Sequence, residues 1–362
     1  MDFTALVLQP FLLTFFVSLL ATPLTIRLFK RFGWVIDPKK SPHPAHVHTK
    51  PVPKGGGVPI FLAIVVAICL LLKIDKHLVA IGAAMIVTLV VGVVDDIRGL
   101  PPLVRLLFNF LAAILVVSGG IGIAYISNPL GGTIDLSLPR IYLNFFDSGH
   151  QIWILADLFA LIWIPFMMNA INRSSGVDGQ ASGMIAVAAV VIGILSLNFS
   201  ADITQWPVAI LAFSLAGAFA ALTVFHFYPQ KIMPGYSATT LAGLLLAVLS
   251  ILSTTKVGTA IMVLGLPLID ATYTIVRRLI RGKSPFSGDR GHLHHKLLSL
   301  GWGKRRIALF YWCITAILGV LALFFNAKMK LFAIVGVAVM LVGFFLWIYF
   351  GISSRRLDHD SG

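Results

Sequence analysis

The chain of 362 residues contains no glutamate, so all 14 of its acidic side chains are aspartates. Any carboxylate chemistry therefore falls to a short set of positions. Charge of either sign is scarce, at 12%, while 58% of residues are hydrophobic. Together with a mean hydropathy of +0.94 this excludes a soluble domain of such length. Cysteine is almost missing: Cys69 and Cys313 both lie inside apolar runs, where they read as packing residues and carry no signal about redox compartment. The first apolar run lacks a basic leader and a small-residue cleavage site, so it reads as a retained span. Internal repeats are lacking too, which weakens a transporter built from inverted halves.

What is abundant is uninterrupted apolar sequence. Runs cover residues 5–26, 56–72, 79–95, 104–125, 152–171, 182–199, 206–225, 238–254, 257–276, 306–326 and 330–351. Each is close to the ~20 residues that carry a helix across a bilayer. A β-barrel would alternate instead of running continuously apolar. The expectation is an all-α polytopic membrane protein of about eleven transmembrane helices, one unit over 1–351, with a short, disordered cytoplasmic tail at 352–362. One interruption stands apart: LGGTIDLSL and RIYLNF, between residues 126 and 151, alternate and read as a small external hairpin of structural role.

Numbering the loops alternately sorts the charge. One side receives Arg27 to Lys54, Arg98, Arg105, Arg173, Lys231, Arg277 to Arg306, Arg355 and Arg356, which hold 22 of the 28 basic residues. By the positive-inside rule the amino terminus faces out and the carboxyl terminus faces the cytoplasm. The net charge of +14 is then mainly a topology signal, with attraction to anionic membrane lipids or phosphate ligands as a consequence. Nucleic acid is not needed to explain it.

The same sorting gathers the chemistry on the cytoplasmic side. Asn169 and Asn172 lie three residues apart on one helical face, followed by Gly176 and Gly179 around Asp178. The bland reading of this stretch is a tight connector between helices. Asp95 and Asp96 adjoin at a span end, where two carboxylates are costly to desolvate. A divalent cation, or a proton to be taken from a phosphate acceptor, accounts for the pair; a solvated helix end is the plainer account. Asp157 reads as structural, and Asp270 is left open. The most polar loop holds Arg290, His292, His294 and His295 within six residues. No cysteine or glutamate is near to complete a zinc site, and these donors suit a pyrophosphate better. An anchor to lipid headgroups is the second reading.

Taken together, Asp95-Asp96 with Leu100, NAIN and GVDG over Asn169 to Gly179, and DRGHLHHKLLSLG from Asp289 to Gly301 resemble the polyprenyl-phosphate N-acetylhexosamine-1-phosphate transferases. His48, Pro51, Pro53, Gly56 and Gly57 are similar to that family's HxxPxPxxGG, and LPLIDATYTIVRRLIRGKSP precedes the histidines. The HLHH form and eleven spans resemble the GlcNAc-1-phosphate branch more than the phospho-MurNAc-pentapeptide branch. The resemblance implies transfer of a sugar-1-phosphate, GlcNAc-1-phosphate by the branch, from a UDP-sugar to undecaprenyl or another polyprenyl phosphate. UMP would leave, and a cell-envelope glycan would begin at the cytoplasmic face of a bacterial inner membrane. It implies magnesium, with manganese as the alternative, on Asp95, Asp96 and Asp178. Asp95 and Asp96 would activate or orient the lipid phosphate, with Asn172 and Asp178 lining the catalytic cleft. Gly176, Val177 and Asp178 would face the uridine, and His48 and Asn169 would join the substrate-binding set. Arg105 would hold the lipid phosphate, and Arg290, His292, His294 and His295 the pyrophosphate. A homodimer is compatible with all of this.

Three positions depart from the family's pattern. Ser175 stands where the first aspartate of DGxDG is expected, His226 where an asparagine is, and Tyr236 where the pattern has a metal-binding aspartate. A phenol with a pKa near 10 is a poor ligand for a hard cation. Two readings follow: an active transferase, or a non-catalytic relative that binds polyprenyl phosphate or a nucleotide sugar as a partner or regulator. A transporter is a third, weaker one.

Overall fold

The computed structural model describes residues 3–36, 51–145, 148–198, 205–253, 256–284 and 291–359. Each of the eleven apolar runs forms helix. α1 (Gln9–Arg31), preceded by a π-helical turn, is followed by α2 (Gly57–Leu71), α3 (Lys76–Arg98) and α4 (Pro102–Ser118). Next come α5 (Ile154–Arg173), α6 (Gln180–Leu197), α7 (Trp206–His226) and α8 (Gly235–Leu252). The chain closes with α9 (Lys256–Val263), α10 (Gly265–Ile280), the short α11 (Leu293–Ser299), α12 (Lys304–Phe324) and α13 (Ala327–His359). By length and composition eight of these helices can cross a membrane, or nine if α9 and α10 count as one span. α2 and α4 are shorter apolar helices of 15 and 17 residues. At 1.5 Å per residue they extend only about 22 to 26 Å, short of a ~30 Å hydrocarbon layer.

Three expectations change. The run at 257–276 is a broken helix, bent by 86° at Leu264. The single hairpin is two: β3 (Tyr125–Ser127) pairs with β4 (Thr133–Asp135), and β5 (Arg140–Phe145) pairs with β6 (Ser148–Trp153), all antiparallel. The tail expected to be disordered instead continues α13 to His359. No proline or glycine lies between Gly351 and Asp360 to stop it. A further two-residue ladder pairs β1 (Val35–Ile36) with β2 (Val52–Pro53), closing off the segment between α1 and α2.

α1 is inside out compared with a helix of a water-soluble bundle. α1 shows Leu12, Phe16, Leu20 and Leu24 outward and buries Thr14, Ser18, Thr22 and Thr25. Small polar residues suit helix contacts in lipid, because backbones come close and hydroxyls find carbonyls. Ser18 donates to Ala218 O of α7 at 3.1 Å. This is a multi-pass membrane protein. α8 is its axis: every residue from Tyr236 to Ile251 is buried, as expected of a helix apolar all round. It packs against α2, α3, α5 and α9, among others.

Candidate functional site

The amino end of α8 is where the polar stretches meet. A helix start leaves backbone N–H groups without partners, and the residue before α8, Pro234, offers no side-chain cap. The cap comes from α3. Asp96 Oδ1 accepts from Tyr236 N at 2.7 Å, and Oδ2 accepts from Ser237 N at 3.2 Å and Ser237 Oγ at 2.5 Å. A carboxylate there also meets the positive end of the helix dipole. Gly235 makes the approach practicable: its φ is +70°, and a β-carbon on it would overlap the Asp96 carboxylate. Lys54, from the loop before α2, lies 3.6 Å from Asp96 Oδ1. The Gly57 N–H donates to Ser237 Oγ at 3.2 Å.

Asp95, one residue earlier, turns to α4. Its Oδ1 accepts from Leu100 N at 2.8 Å and lies 3.1 Å from Arg105 Nε. Arg105 Nε also faces Leu100 O at 2.9 Å, and the guanidinium stands 5.5 Å over the Tyr236 ring. Below it the Tyr236 hydroxyl donates to Asn109 Oδ1 at 3.0 Å. Both residues are buried.

The α5–α6 connector closes the other side. Asn172 Oδ1 accepts from Thr239 Oγ1 of α8 at 2.9 Å, whereas Asn169 Nδ2 turns back to Pro165 O of its own helix at 2.7 Å. Val177 is buried in the apolar core. Asp178 Oδ1 lies 3.2 Å from Lys304 Nζ at the start of α12, and Oδ2 accepts from Gln230 N at 3.4 Å. Lys304 Nζ in turn stands 5.4 Å over the ring of Tyr228. The connector's backbone is tied to α12 as well, since Trp312 Nε1 donates to Gly179 O at 3.0 Å.

α11 brings the histidines. Asp270, buried in α10, accepts from His292 Nδ1 at 2.9 Å and from Leu293 N at 2.9 Å, so one carboxylate both orients the imidazole and caps α11. The rings of His292 and His294 stack at 5.7 Å, and those of His294 and His295 stand 4.3 Å apart. His294 Nε2 lies directly against Gly176, where any β-carbon would collide with it. Its Nδ1 is buried and has no partner among the described residues. Burial first, then its histidine neighbours, hold this imidazole well below its usual pKa, so it is neutral at pH 7.

Of the residues singled out in sequence, Asp95, Asp96, Arg105, Asn172, Gly176, Asp178, His292, His294 and His295 thus belong to one connected region. Asn169 and Val177 point into the helix and the core. His48 and Arg290 lie outside the described residues. Asp157 accepts from Trp153 N at 3.0 Å at the start of α5, as its structural reading requires. Asp270, left open in sequence, is the partner of His292. Lys54, Lys304 and Asn109 were not singled out: the two lysines registered only as topology charge, and Asn109 sits within an apolar run.

Magnesium, the cation implied on Asp95, Asp96 and Asp178, does not suit these donors. It demands near-octahedral oxygen ligands at about 2.1 Å. Both Asp96 oxygens are committed to the end of α8, and each of the three carboxylates has a cationic partner. Tyr236 adds a neutral phenol. Among the described residues no three histidine, cysteine or aspartate side chains gather as a ligand set.

The chain's likenesses fit the site. Residues 78–254 match glycosyl transferase family 4. The chain is 28% identical to the probable undecaprenyl-phosphate N-acetylglucosaminyl 1-phosphate transferase of Bacillus subtilis, over 85% of this chain and 83% of that protein. It is 29% identical to the decaprenyl-phosphate N-acetylglucosaminephosphotransferase of Mycobacterium tuberculosis, over 86% and 81%. Against the phospho-N-acetylmuramoyl-pentapeptide-transferase of Bacillus subtilis the identity is 26%, over 88% and 97%. The chain thus matches glycosyl transferase family 4 across residues 78–254, and it is more similar to the polyprenyl-phosphate GlcNAc-1-phosphate transferases than to the phospho-MurNAc-pentapeptide transferases.

Proposed function

We propose that this protein transfers a sugar-1-phosphate, GlcNAc-1-phosphate by its relatives' names, from a UDP-sugar to a polyprenyl phosphate, releasing UMP. The observation that carries the reading is the placement of Arg105, Lys54 and Lys304 on the carboxylates of Asp95, Asp96 and Asp178, with the α11 histidines packed against Gly176 of the same connector as Asp178. Two anionic phosphates brought together need positive charge and N–H donors aimed at them. Arg105 commits only Nε among the described residues, which leaves its terminal amino groups for a phosphate. An apolar groove of about 670 Å³ lies between α11, α12 and α13, lined by Leu293, Leu297, Trp302, Phe310, Gly336 and Met340 among others. On this reading it takes the polyprenyl tail.

The reading carries a topology with it. Counting α2, α4 and the broken pair as spans makes eleven crossings, with the amino terminus outside and the site on the cytoplasmic face of a bacterial inner membrane. A homodimer is consistent with this arrangement. The protein in lipid nanodiscs, given UDP-GlcNAc and undecaprenyl phosphate, is expected to release UMP. Silence across several UDP-sugars, with binding of the donor retained, would establish the second reading, a non-catalytic binder, which Tyr236 and the paired carboxylates favour.

A further inference from the structure

The three site carboxylates are each matched with a cation: Asp95 with Arg105 at 3.1 Å, Asp96 with Lys54 at 3.6 Å and Asp178 with Lys304 at 3.2 Å. We propose that this site transfers the phosphoryl group without a divalent cation, the positive charge coming from Lys54, Arg105 and Lys304. The proposal rests on the transferase reading above.

The cations are held ready to change partners. Asp96 keeps three hydrogen bonds from the end of α8 when Lys54 leaves it, so the carboxylate stays hydrogen-bonded at the positive end of the helix dipole. Asp178 retains the Gln230 N–H at 3.4 Å when Lys304 moves to a phosphate oxygen. The ring of Tyr228, 5.4 Å from both Lys304 Nζ and the Arg305 guanidinium, keeps the ammonium near by cation–π attraction. Both lysine side chains are partly open to the exterior, at 26% and 18% exposure, as groups that must meet a ligand should be. An ammonium is a compact point charge on a flexible stem, able to follow the reacting oxygens. Tyr236 occupies its place with a neutral group that supports Arg105 and bonds Asn109.

The step balances without a metal or other co-reactant. A non-bridging oxygen of the acceptor phosphate attacks the sugar-bearing phosphorus and forms a P–O bond. The bond from that phosphorus to the bridging oxygen breaks, and UMP leaves with the electron pair. Two dianions enter and two dianions leave, so no proton need be found for either. Negative charge grows on the bridging oxygen as the bond breaks, and fixed cations stabilise it there.

UMP release by the full-length protein in nanodiscs, with UDP-GlcNAc and undecaprenyl phosphate, is followed in excess EDTA and in added magnesium. The two rates are expected to agree within about twofold; a fall of about tenfold or more in EDTA, restored by magnesium, overturns the proposal and leaves the transferase reading intact. In EDTA, Lys304→Ala is expected to lose about 100-fold and Lys304→Arg to recover part of it, whereas an unchanged Lys304→Ala rate overturns the proposal. If no UMP appears in either arm, the transferase reading fails, and the metal question is decided by manganese alone. The electron paramagnetic resonance signal of free Mn²⁺ is expected to be unaffected by the protein; its loss in proportion to protein added overturns the proposal.

Discussion

His294 rests with Nε2 against the bare backbone of Gly176, so the histidine helix and the α5–α6 connector touch where only a hydrogen fits. Gly176→Ala would force α11 away from the connector while leaving the transmembrane helices packed. We expect UMP release to fall by about 100-fold, the scale of a misplaced catalytic group, with the protein still purifying as a folded species by size-exclusion chromatography. Near-normal turnover in that variant would show that the contact does not set the site.

The Asp270 carboxylate serves two donors, His292 Nδ1 and Leu293 N. Asp270→Asn keeps one acceptor and loses the charge, so His292 is oriented less firmly. The expected result is a kcat reduced by about tenfold to 100-fold with KM for the donor little changed, and a stability loss of about 1–3 kcal/mol. Steady-state kinetics beside thermal unfolding checks both. A change in KM alone would assign Asp270 to ground-state binding.

The apolar groove makes a prediction that separates the two substrates. A β-carbon on Gly336 meets nothing within 4 Å, so the backbone tolerates a side chain that fills the groove. Gly336→Trp should raise KM for polyprenyl phosphate by about tenfold, equivalent to some 1.4 kcal/mol of lost binding. KM for the UDP-sugar should stay as it was. An equal rise in both would place the tail elsewhere.

His294 also gives the protein an acid sensitivity whose sign is fixed. Its folded-state pKa lies well below the ordinary value of 6.5, through burial and then through His295 and His292. Above pH 6.5 neither state binds the proton and the stability is complete. Below it the unfolded chain takes a proton that the folded chain refuses, so stability falls as pH drops. The loss is on the order of 1 kcal/mol per pH unit, read as a falling thermal midpoint between pH 6.5 and 5. His294→Gln should flatten that slope.

Much of this was legible before any coordinates. Continuous apolar runs have one solution in a bilayer, so every run formed helix, and alternation in RIYLNF gave β5 its bounds. The bend at Leu264 was not legible, because hydropathy reports that a segment avoids water and is silent on its direction. Within the site, the polar clusters in loops declared themselves against the apolar background. Asp270 and Asn109 did not, being single polar residues whose partners lie 22 and 127 positions away. Lys54 and Lys304 were hidden differently: in a membrane protein, lysines at helix ends already have an explanation in topology.

The most direct test of the central claim is UMP release by the purified protein in nanodiscs supplied with UDP-GlcNAc and undecaprenyl phosphate. The expected result is UMP formed in step with a lipid-linked GlcNAc diphosphate, and lowered by about 100-fold in Lys304→Ala. No UMP from any of several UDP-sugars, in protein that still binds the donor, would contradict it.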